Sequence, residues 1–144
     1  MIGKHGWKLD LARSWGIKGT TAGDGQVRDR SFRVVVEASG SPTGLRDALR
    51  LVAPRGTVVM KSTFQEKAQF DSSKLVVDEI TLLGSRCGSF GGALNLLARG
   101  QVKVRPMISQ TFPLEAGEEA FAFLKESSCL KVVLAPSCQR RGNR

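Results

Sequence analysis

The chain has 144 residues, a length that suits one domain with a single buried core and is too short for separate catalytic and cofactor domains. Apolar residues make up 41% and charged residues 24% of the chain, close to the globular average, so a folded protein is expected rather than a disordered one. The net charge of +9 favours partners that carry phosphate, from a dinucleotide to nucleic acid, without choosing between them.

The N-terminal part of the chain contains one predicted helix between short extended segments. Leu9 with Ala12, and Leu11 with Trp15, recur at three- and four-residue spacing over residues 8–15. A glycine follows directly, as is usual just past a helix end. Residues 1–3 are predicted to end a strand and residues 17–21 to form another. A polar loop is expected over residues 22–31.

The next segment is predicted to be strand, helix and strand. Residues 32–38 hold a continuous valine run that is typical of a strand buried on both faces, as in parallel sheets. A helix is expected after this strand, and a Pro-Arg-Gly sequence at 54–56 is expected to end that helix before a second strand over 57–60. One face of that helix would carry the apolar residues Leu45, Ala48, Leu49 and Val52.

The remaining elements continue this alternation and then depart from it. A strand over residues 79–84 and a helix that Gly100 closes are predicted first, and they favour right-handed crossovers in a parallel sheet. Residues 102–108 are predicted to be extended. Pro113 is expected to open an amphipathic helix over 114–126, and residues 131–134 to form a last strand.

Small polar residues follow the strands at the edge where parallel sheets bind ligands. Small residues let a flat ring approach the backbone, hydroxyl groups can bind a ribose, and Lys and Arg attract phosphate. The candidate residues in these turns are Ser39, Gly40, Ser41, Lys61, Ser62, Thr63, Ser85, Arg86 and Cys87.

The sequence contains few residues that would indicate a metal site, a disulfide or a catalytic site. His5 is the only histidine, and the cysteines at 87, 129 and 138 have no CxxC spacing, so reduced thiols are expected rather than a zinc site or disulfides. No catalytic constellation is recognised. Asp78 and Glu79 are predicted to be solvated charges before a strand, and the arginines at 140, 141 and 144 to form a solvated tail. No stretch reaches the roughly 18 apolar residues of a membrane span, so a cytoplasmic, soluble protein is expected.

Several segments resemble a known family. These are VVEASGSP at 35–42, LVAPRGTVVMKST at 51–63 and VDEITLLGSRCG at 77–88. They are similar to the zinc-dependent medium-chain alcohol dehydrogenases, in the branch of threonine and sorbitol dehydrogenases. Pro113 with Leu114, Ala120 with Phe121, and KVVL at 131–134 resemble the closing helix and strand of that family. The resemblance spans nearly the whole chain and implies a Rossmann fold that binds NAD or NADP.

The resemblance also assigns roles to single residues. It implies that Gly3, Lys4 and His5 lie at the end of the second Rossmann strand, beside the adenosine ribose. An acidic residue there would favour NAD, so the basic Lys4 gives a slight preference for NADP. The turn residues named above would border the cofactor groove, with the nicotinamide towards the later two turns.

The family pattern further implies that this chain is a fragment. Family members begin with a catalytic domain that holds the zinc ligands, and then have a first Rossmann strand with a glycine-rich turn. Both are expected to be missing here, so that zinc would bind only in a full-length relative. Because the first strand is central in the order 3-2-1-4-5-6, its loss would leave unpaired edges. Phe121, Leu124 and Val133 would lack their usual partners, which favours self-association or instability.

The expected fold class is α/β, an incomplete Rossmann-type parallel sheet without its first strand, followed by a C-terminal helix and strand. Residues 1–104 would form the partial dinucleotide-binding domain, 105–135 would return to the catalytic domain, and 136–144 would be a basic tail.

The leading functional hypothesis is a truncated NAD(P)-dependent alcohol or polyol dehydrogenase, inactive without the missing zinc domain. The alternative is a non-catalytic binding module that associates with itself or another subunit through an exposed sheet edge or the terminal helix. A nucleic-acid binder is disfavoured, because it rests on the charge and the arginine tail alone.

Overall fold

The computed structural model describes residues 1–21, 25, 27–65, 67–126 and 128–136, which divide into two compact units, one up to Gly88 and one from Ser89 onward. The first unit contains β1 (Ile2–Gly3), α1 (Gly6–Ser14), β2 (Thr20–Thr21), β3 (Phe32–Glu37), α2 (Pro42–Leu51), β4 (Val52–Met60), α3 (Ser72–Val77) and β5 (Thr81–Gly84). The second contains α4 (Phe90–Ala98), a 3-10 turn (Arg105–Met107), β6 (Gln110–Pro113), a 3-10 turn (Leu114–Ala116), α5 (Gly117–Phe123) and β7 (Val132–Ala135). Among the described residues, no helix is both long and apolar enough to cross a membrane.

The predicted opening of the chain is confirmed as a strand, helix and parallel strand. β1 pairs with β2 in parallel, and α1 connects them. Leu9 of α1 is fully buried, and a Cβ placed on either Gly3 or Gly19 would lie 3.2 Å from its Cδ2 atom. Gly3 on β1 and Gly19 directly before β2 therefore let the helix pack closely over the sheet.

The sheet β3–β4–β5 is the centre of the first unit. Its strands pair in parallel in that order, and α2 and α3 form the crossovers. A buried cluster holds α2 against β4, with Val35 and Leu82 among the partly buried side chains around it. The cluster comprises Leu45, Ala48, Leu49, Val52 and Val58. The predicted α/β class with parallel pairing is thus confirmed.

β3 is not buried on both faces, contrary to the sequence prediction. Val35 and Glu37 face the core, whereas Val34 is 60% and Val36 is 58% exposed. The strand alternates because neighbouring side chains point to opposite faces and the buried cluster covers only one of them. A valine run indicates a strand, but it does not show that both faces have partners.

β4 begins earlier than predicted. It starts at Val52, which caps α2, and it includes Pro54. The register with β3 shifts between Phe32 paired with Val52 and Val34 paired with Thr57, so Pro54 lies in a bulge where its missing N–H breaks no ladder bond. A Cβ on Gly56 would lie 2.6 Å from Val52 Cγ2 and 2.7 Å from the Ala53 carbonyl oxygen, so the bulge requires glycine.

Asp78 is not a solvated charge, which corrects the sequence prediction for this residue. Its side chain is 7% exposed and accepts two 2.9 Å hydrogen bonds from the Arg30 guanidinium. Lys74 Nζ lies 3.4 Å from its Oδ2 atom. Glu79 is exposed, as predicted, and pairs with Arg55. The sequence did not indicate this ion pair to a buried carboxylate because Arg30 lies 48 residues before Asp78.

The second unit differs from the prediction in its first half. Residues 102–108 are not extended as a whole, because a 3-10 turn occupies Arg105–Met107. The strand that pairs in parallel with β7 is β6, which Pro113 ends. The predicted helix over 114–126 is shorter: a 3-10 turn precedes α5 (Gly117–Phe123).

The closing elements of the second unit have a small packed core and exposed apolar residues. The rings of Phe112 and Phe123 pack with centroids 5.8 Å apart. Phe121 is 67% and Leu124 is 47% exposed, as expected, whereas Val133 is half-buried. Cys138 and the arginines at 140, 141 and 144 lie outside the described residues, as does part of the predicted loop over 22–31.

Candidate functional site

The turns after β3, β4 and β5 lie at one edge of their sheet, because the strands are parallel and neighbouring. Hydrogen bonds join them in sequence: Lys61 N donates to the Glu37 carbonyl at 2.8 Å, and Ser85 N donates to the Met60 carbonyl at 3.0 Å. We call this edge the rim, formed by Ser39, Gly40, Ser41, Lys61, Ser62, Thr63, Ser85, Arg86 and Cys87. The structure therefore brings together these nine predicted site residues.

The turn after β3 has a left-handed glycine and leads into the cap of α2. Gly40 has a φ of 70°, which side-chain-bearing residues rarely adopt. Ser41 is the N-cap of α2, and its Oγ accepts a 3.2 Å hydrogen bond from Gly44 N. Pro42 follows at the first helical position, where its missing N–H costs no hydrogen bond. The Ser-Gly-Ser-Pro sequence thus determines the local backbone.

A residue that sequence reasoning missed, Glu37, lies beneath this turn. It is 3% exposed, and its Oε1 atom accepts 2.7 Å hydrogen bonds from both Ser39 N and Ser39 Oγ. Its Oε2 atom accepts from Ser62 Oγ. Burial alone would raise the pKa of Glu37, but the hydrogen bonds from Ser62 and Ser39 outweigh it and hold the pKa below its ordinary value. A lone acidic residue at the end of a valine run was the available signal.

The turns after β4 and β5 carry the cations of the rim. Lys61 Nζ donates to the Arg86 carbonyl oxygen, so this side chain spans both turns. Arg86, Cys87 and Thr63 are exposed, and Cys87 is a free thiol. A guanidinium at this edge presents a planar fork that suits phosphate or carboxylate oxygens.

Open space lies over Gly40 of the rim and over Gly84 and Gly88, which flank its last turn. A Cβ on Gly40, Gly84 or Gly88 would meet no atom within 4 Å. A planar ring could therefore approach the backbone at these positions, and nearby hydroxyl groups and cations supply partners for ribose and phosphate. These residues fit a dinucleotide.

Gly3, Lys4 and His5 lie at the end of a different sheet, β1–β2. Lys4 is exposed, and His5 is the N-cap of α1 without a side-chain cap hydrogen bond. Gly3 packs against Leu9 rather than facing open space.

A metal site would need several His, Cys, Asp or Glu side chains close together. Over the described part of the chain, no group of three or more His, Cys, Asp and Glu residues could hold a metal ion. The described residues therefore do not offer the ligand set of a zinc site.

A cavity of about 540 Å³ lies away from the rim, beside α2 and the start of α3. Its lining mixes Arg46, Arg50 and Lys74 with the apolar Leu49 and Phe70. It contains no residue of the rim, whose chemistry lies on an open surface.

Comparison with known proteins places this geometry in a family. A family model described as zinc-binding dehydrogenase matches residues 3–99. L-threonine 3-dehydrogenase from Bacillus licheniformis is 27% identical over 155 aligned residues, covering 94% of this chain and 43% of that protein. D-arabinitol dehydrogenase 1 from Uromyces fabae is 27% identical, covering 74% of this chain and 32% of that protein.

Solved structures share the fold. L-idonate 5-dehydrogenase from Escherichia coli superposes with a TM-score of 0.84 at 25% identity, over 93% of this chain and 41% of that one. A Sinorhizobium meliloti protein solved bound to NADP superposes with a TM-score of 0.81 at 24% identity, covering 94% of this chain and 44% of that one. An Escherichia coli alcohol dehydrogenase complexed with NADH superposes with a TM-score of 0.80 at 18% identity, covering 93% of this chain and 43% of that one.

The chain spans less than half the length of these relatives. The family match covers most of the sheet-forming residues of the first unit and extends into α4. The predicted resemblance to medium-chain alcohol dehydrogenases is thus confirmed, and the chain belongs to the zinc-binding dehydrogenase family.

Proposed function

We propose that this chain is the cofactor-binding portion of an NAD(P)-dependent alcohol or polyol dehydrogenase, with the dinucleotide bound along the rim. The observation that carries the proposal is the alignment of hydrogen-bonded turns after β3, β4 and β5 at one sheet edge. Ligands of parallel α/β sheets bind beyond the carboxyl ends of the strands. The NADP and NADH complexes of similar folds support this choice of ligand.

Different rim residues would contact different parts of the dinucleotide. Open space over Gly40 would receive a flat ring, and the hydroxyl group of Thr63 would bind a ribose oxygen. Ser39 Oγ, whose proton is donated to Glu37, would accept a hydrogen bond from a ribose hydroxyl group. Arg86 and Lys61 would attract the phosphates. When bound, the nicotinamide would exchange a hydride with the alcohol substrate. We infer that substrate and zinc groups come from residues outside this chain, because its relatives are more than twice as long.

The proposed division of the chain follows from the same account. We infer that residues 1–104 serve the cofactor, that 105–135 contact a catalytic domain, and that 136–144 form a basic tail. The exposed apolar residues Phe121 and Leu124 on or beside α5 support such a contact, since they have large uncovered surfaces.

Titration with reduced cofactor tests the rim. Nicotinamide fluorescence would be followed for the wild-type chain, for Arg86→Ala and for Arg46→Ala. Arg46 is an exposed residue of α2 outside the rim, so it controls for the loss of one positive charge. We expect Arg86→Ala to weaken binding by roughly tenfold, as for loss of a charged hydrogen bond, and Arg46→Ala to leave it unchanged. Equal binding by all the proteins would refute the assignment.

Cofactor preference is proposed to depend on Lys4. A cation at this strand end would stabilise the 2′-phosphate of NADP, where an acidic residue would instead bind the ribose hydroxyls of NAD. Lys4→Asp is expected to raise the ratio of the NADPH to the NADH dissociation constant, and Lys18→Asp, an equal change of charge, is expected not to. An unchanged ratio in Lys4→Asp would remove the NADP preference.

A second candidate function, association of two copies of the chain, is favoured by the uncovered face of β3. Val34 and Val36 are exposed on a strand at the edge of its sheet, and Leu83 of β5 is 51% exposed. Parallel sheets normally have both faces covered, so a second copy would bury these side chains. Sedimentation velocity over a concentration series tests this. Val36→Lys should shift the chain to monomer, Val76→Lys on α3 should not, and a monomeric wild type would exclude the association.

A further inference from the structure

The buried carboxylate of Glu37 contacts turns that follow different strands. Through Oε1 it binds both the backbone and the hydroxyl group of Ser39, in the turn after β3. Through Oε2 it accepts the hydroxyl group of Ser62, in the turn after β4. One side chain therefore connects segments 25 residues apart along the chain.

The Ser62 hydroxyl group extends this connection to the backbone of Gly40. A hydroxyl group has a single proton, and here it is donated to Glu37. The Ser62 oxygen is then an acceptor for Gly40 N, which lies 3.0 Å away. The direction of the chain Gly40 N–H to Ser62 to Glu37 is thus determined by the charged carboxylate, and such chains strengthen one another.

Gly40 is the rim residue whose conformation most needs this support. Its φ is 70°, its surroundings are open, and the hydrogen bond to Ser62 Oγ reaches it from the neighbouring turn. Without the hydroxyl group, the Gly40 amide would lose its hydrogen bond to the neighbouring turn. The opening above Gly40 would then vary in shape.

We propose that Glu37 and Ser62 are positioning residues that hold the turn after β3 in the shape required by the flat ring of the dinucleotide. This inference rests on the proposed function, since it concerns the same rim. Neither residue needs to touch the cofactor. Their effect would pass through the Gly40 backbone.

Amide hydrogen exchange and cofactor titration together test the proposal on wild-type chain, Ser62→Ala and Ser62→Thr. Ser62→Ala removes the hydroxyl group, and Ser62→Thr retains it as the conservative rescue. We expect exchange at Gly40 N to accelerate by roughly tenfold in Ser62→Ala beyond any change at the Val58 amide in the core strand, and to recover in Ser62→Thr. The dissociation constant for NADH should rise in Ser62→Ala and return towards wild type in Ser62→Thr.

The outcomes separate this proposal from the proposed function. Unchanged Gly40 exchange in Ser62→Ala would overturn the positioning role, as would faster exchange with unaltered NADH affinity. Acceleration equal at Gly40 and Val58 would also overturn it, because it would indicate general destabilisation. If the wild-type chain bound neither NADH nor NADPH, the proposed function would fail, and with it the cofactor role of these residues. The exchange data would still report the hydrogen-bond chain.

Discussion

Gly44 lies in the first turn of α2, against the side chains that form the hydrogen-bond network of Glu37. A Cβ at this position would lie 1.9 Å from Ser39 Oγ and 2.7 Å from Ser39 Cβ. The helix can therefore begin here only if its third residue has no side chain. A glycine in the interior of a helix usually lowers stability, so its presence indicates a packing requirement.

Gly44→Ala is accordingly expected to destabilise the chain by about 1–3 kcal/mol, as overpacking does in other cores. Urea unfolding measures the effect. Gly91→Ala is the matched control, because a Cβ there would meet nothing within 4 Å and alanine favours the helix. A Gly44→Ala protein as stable as wild type would show that the turn and α2 do not pack as described.

The ionisation of Glu37 predicts how stability depends on pH. Its folded-state pKa is lowered, so it contributes stability that is present above the ordinary glutamate pKa and is lost as the pH falls through the folded value. The unfolding free energy of wild type should therefore fall between about pH 5 and pH 3 more steeply than that of Glu37→Gln, which does not titrate. Urea unfolding at several pH values measures the two slopes. Parallel slopes would argue against a charged, hydrogen-bonded Glu37.

Among the elements, β3, β4 and β5 are joined near their amino ends by contacts of charged residues as well as by apolar packing of Val52. Arg30, Arg55 and Glu79 have φ values of 55°, 62° and 51°, in the left-handed region that disfavours side chains. Arg55 N donates to the Asp78 carbonyl oxygen at 2.7 Å, which joins β4 to the turn before β5. The strain of these residues is offset by contacts that centre on Asp78.

Asp78→Asn should destabilise the chain by about 1–3 kcal/mol, because it weakens the paired hydrogen bonds from Arg30 and the attraction of Lys74. Thermal or urea unfolding would measure it. Glu79→Gln is the neighbouring control with the same loss of charge. Its pair with Arg55 is solvent-exposed on both sides, so a change below about 0.5 kcal/mol is expected. Equal effects of both substitutions would contradict the distinction between a buried carboxylate, Asp78, and an exposed one, Glu79.

Element types were predictable where local patterns agree with packing. The valine run, the Ser-Gly-Ser-Pro turn and the apolar face of α2 predicted the β3–α2 unit, and the rim followed from the turns after parallel strands. α3 was missed because its only clear signal is the Asp71 cap. Val76 and Val77 are both exposed, so no amphipathic pattern marks the helix.

Contacts between distant segments were not predictable from local patterns. The bulge that places Pro54 in a strand depends on the register with β3, and the burial of Asp78 depends on Arg30. The same holds within the site. The rim residues were predicted one turn at a time, whereas Glu37 became apparent only when the turns after β3 and β4 were seen together.

At the scale of the whole molecule, the strands pair in parallel within separate sheets. The sheets β1–β2 and β3–β4–β5 each have a helix crossover and strand ends that carry polar or basic residues. The net charge of +9 adds a general attraction for anions, which salt would screen. Specific binding at the rim would instead persist at moderate salt, because hydrogen bonds and ring contacts contribute to it.

The central claim is that the rim binds a dinucleotide, and residue-resolved amide NMR during titration with NADPH tests it most directly. The account predicts saturable shift changes concentrated at residues 39–41, 61–63 and 85–87, with little change at Arg30, Arg55 and Asp78 at the opposite ends of the strands. Absence of saturable changes at the rim, or larger changes at the amino ends of β3, β4 and β5, would contradict it.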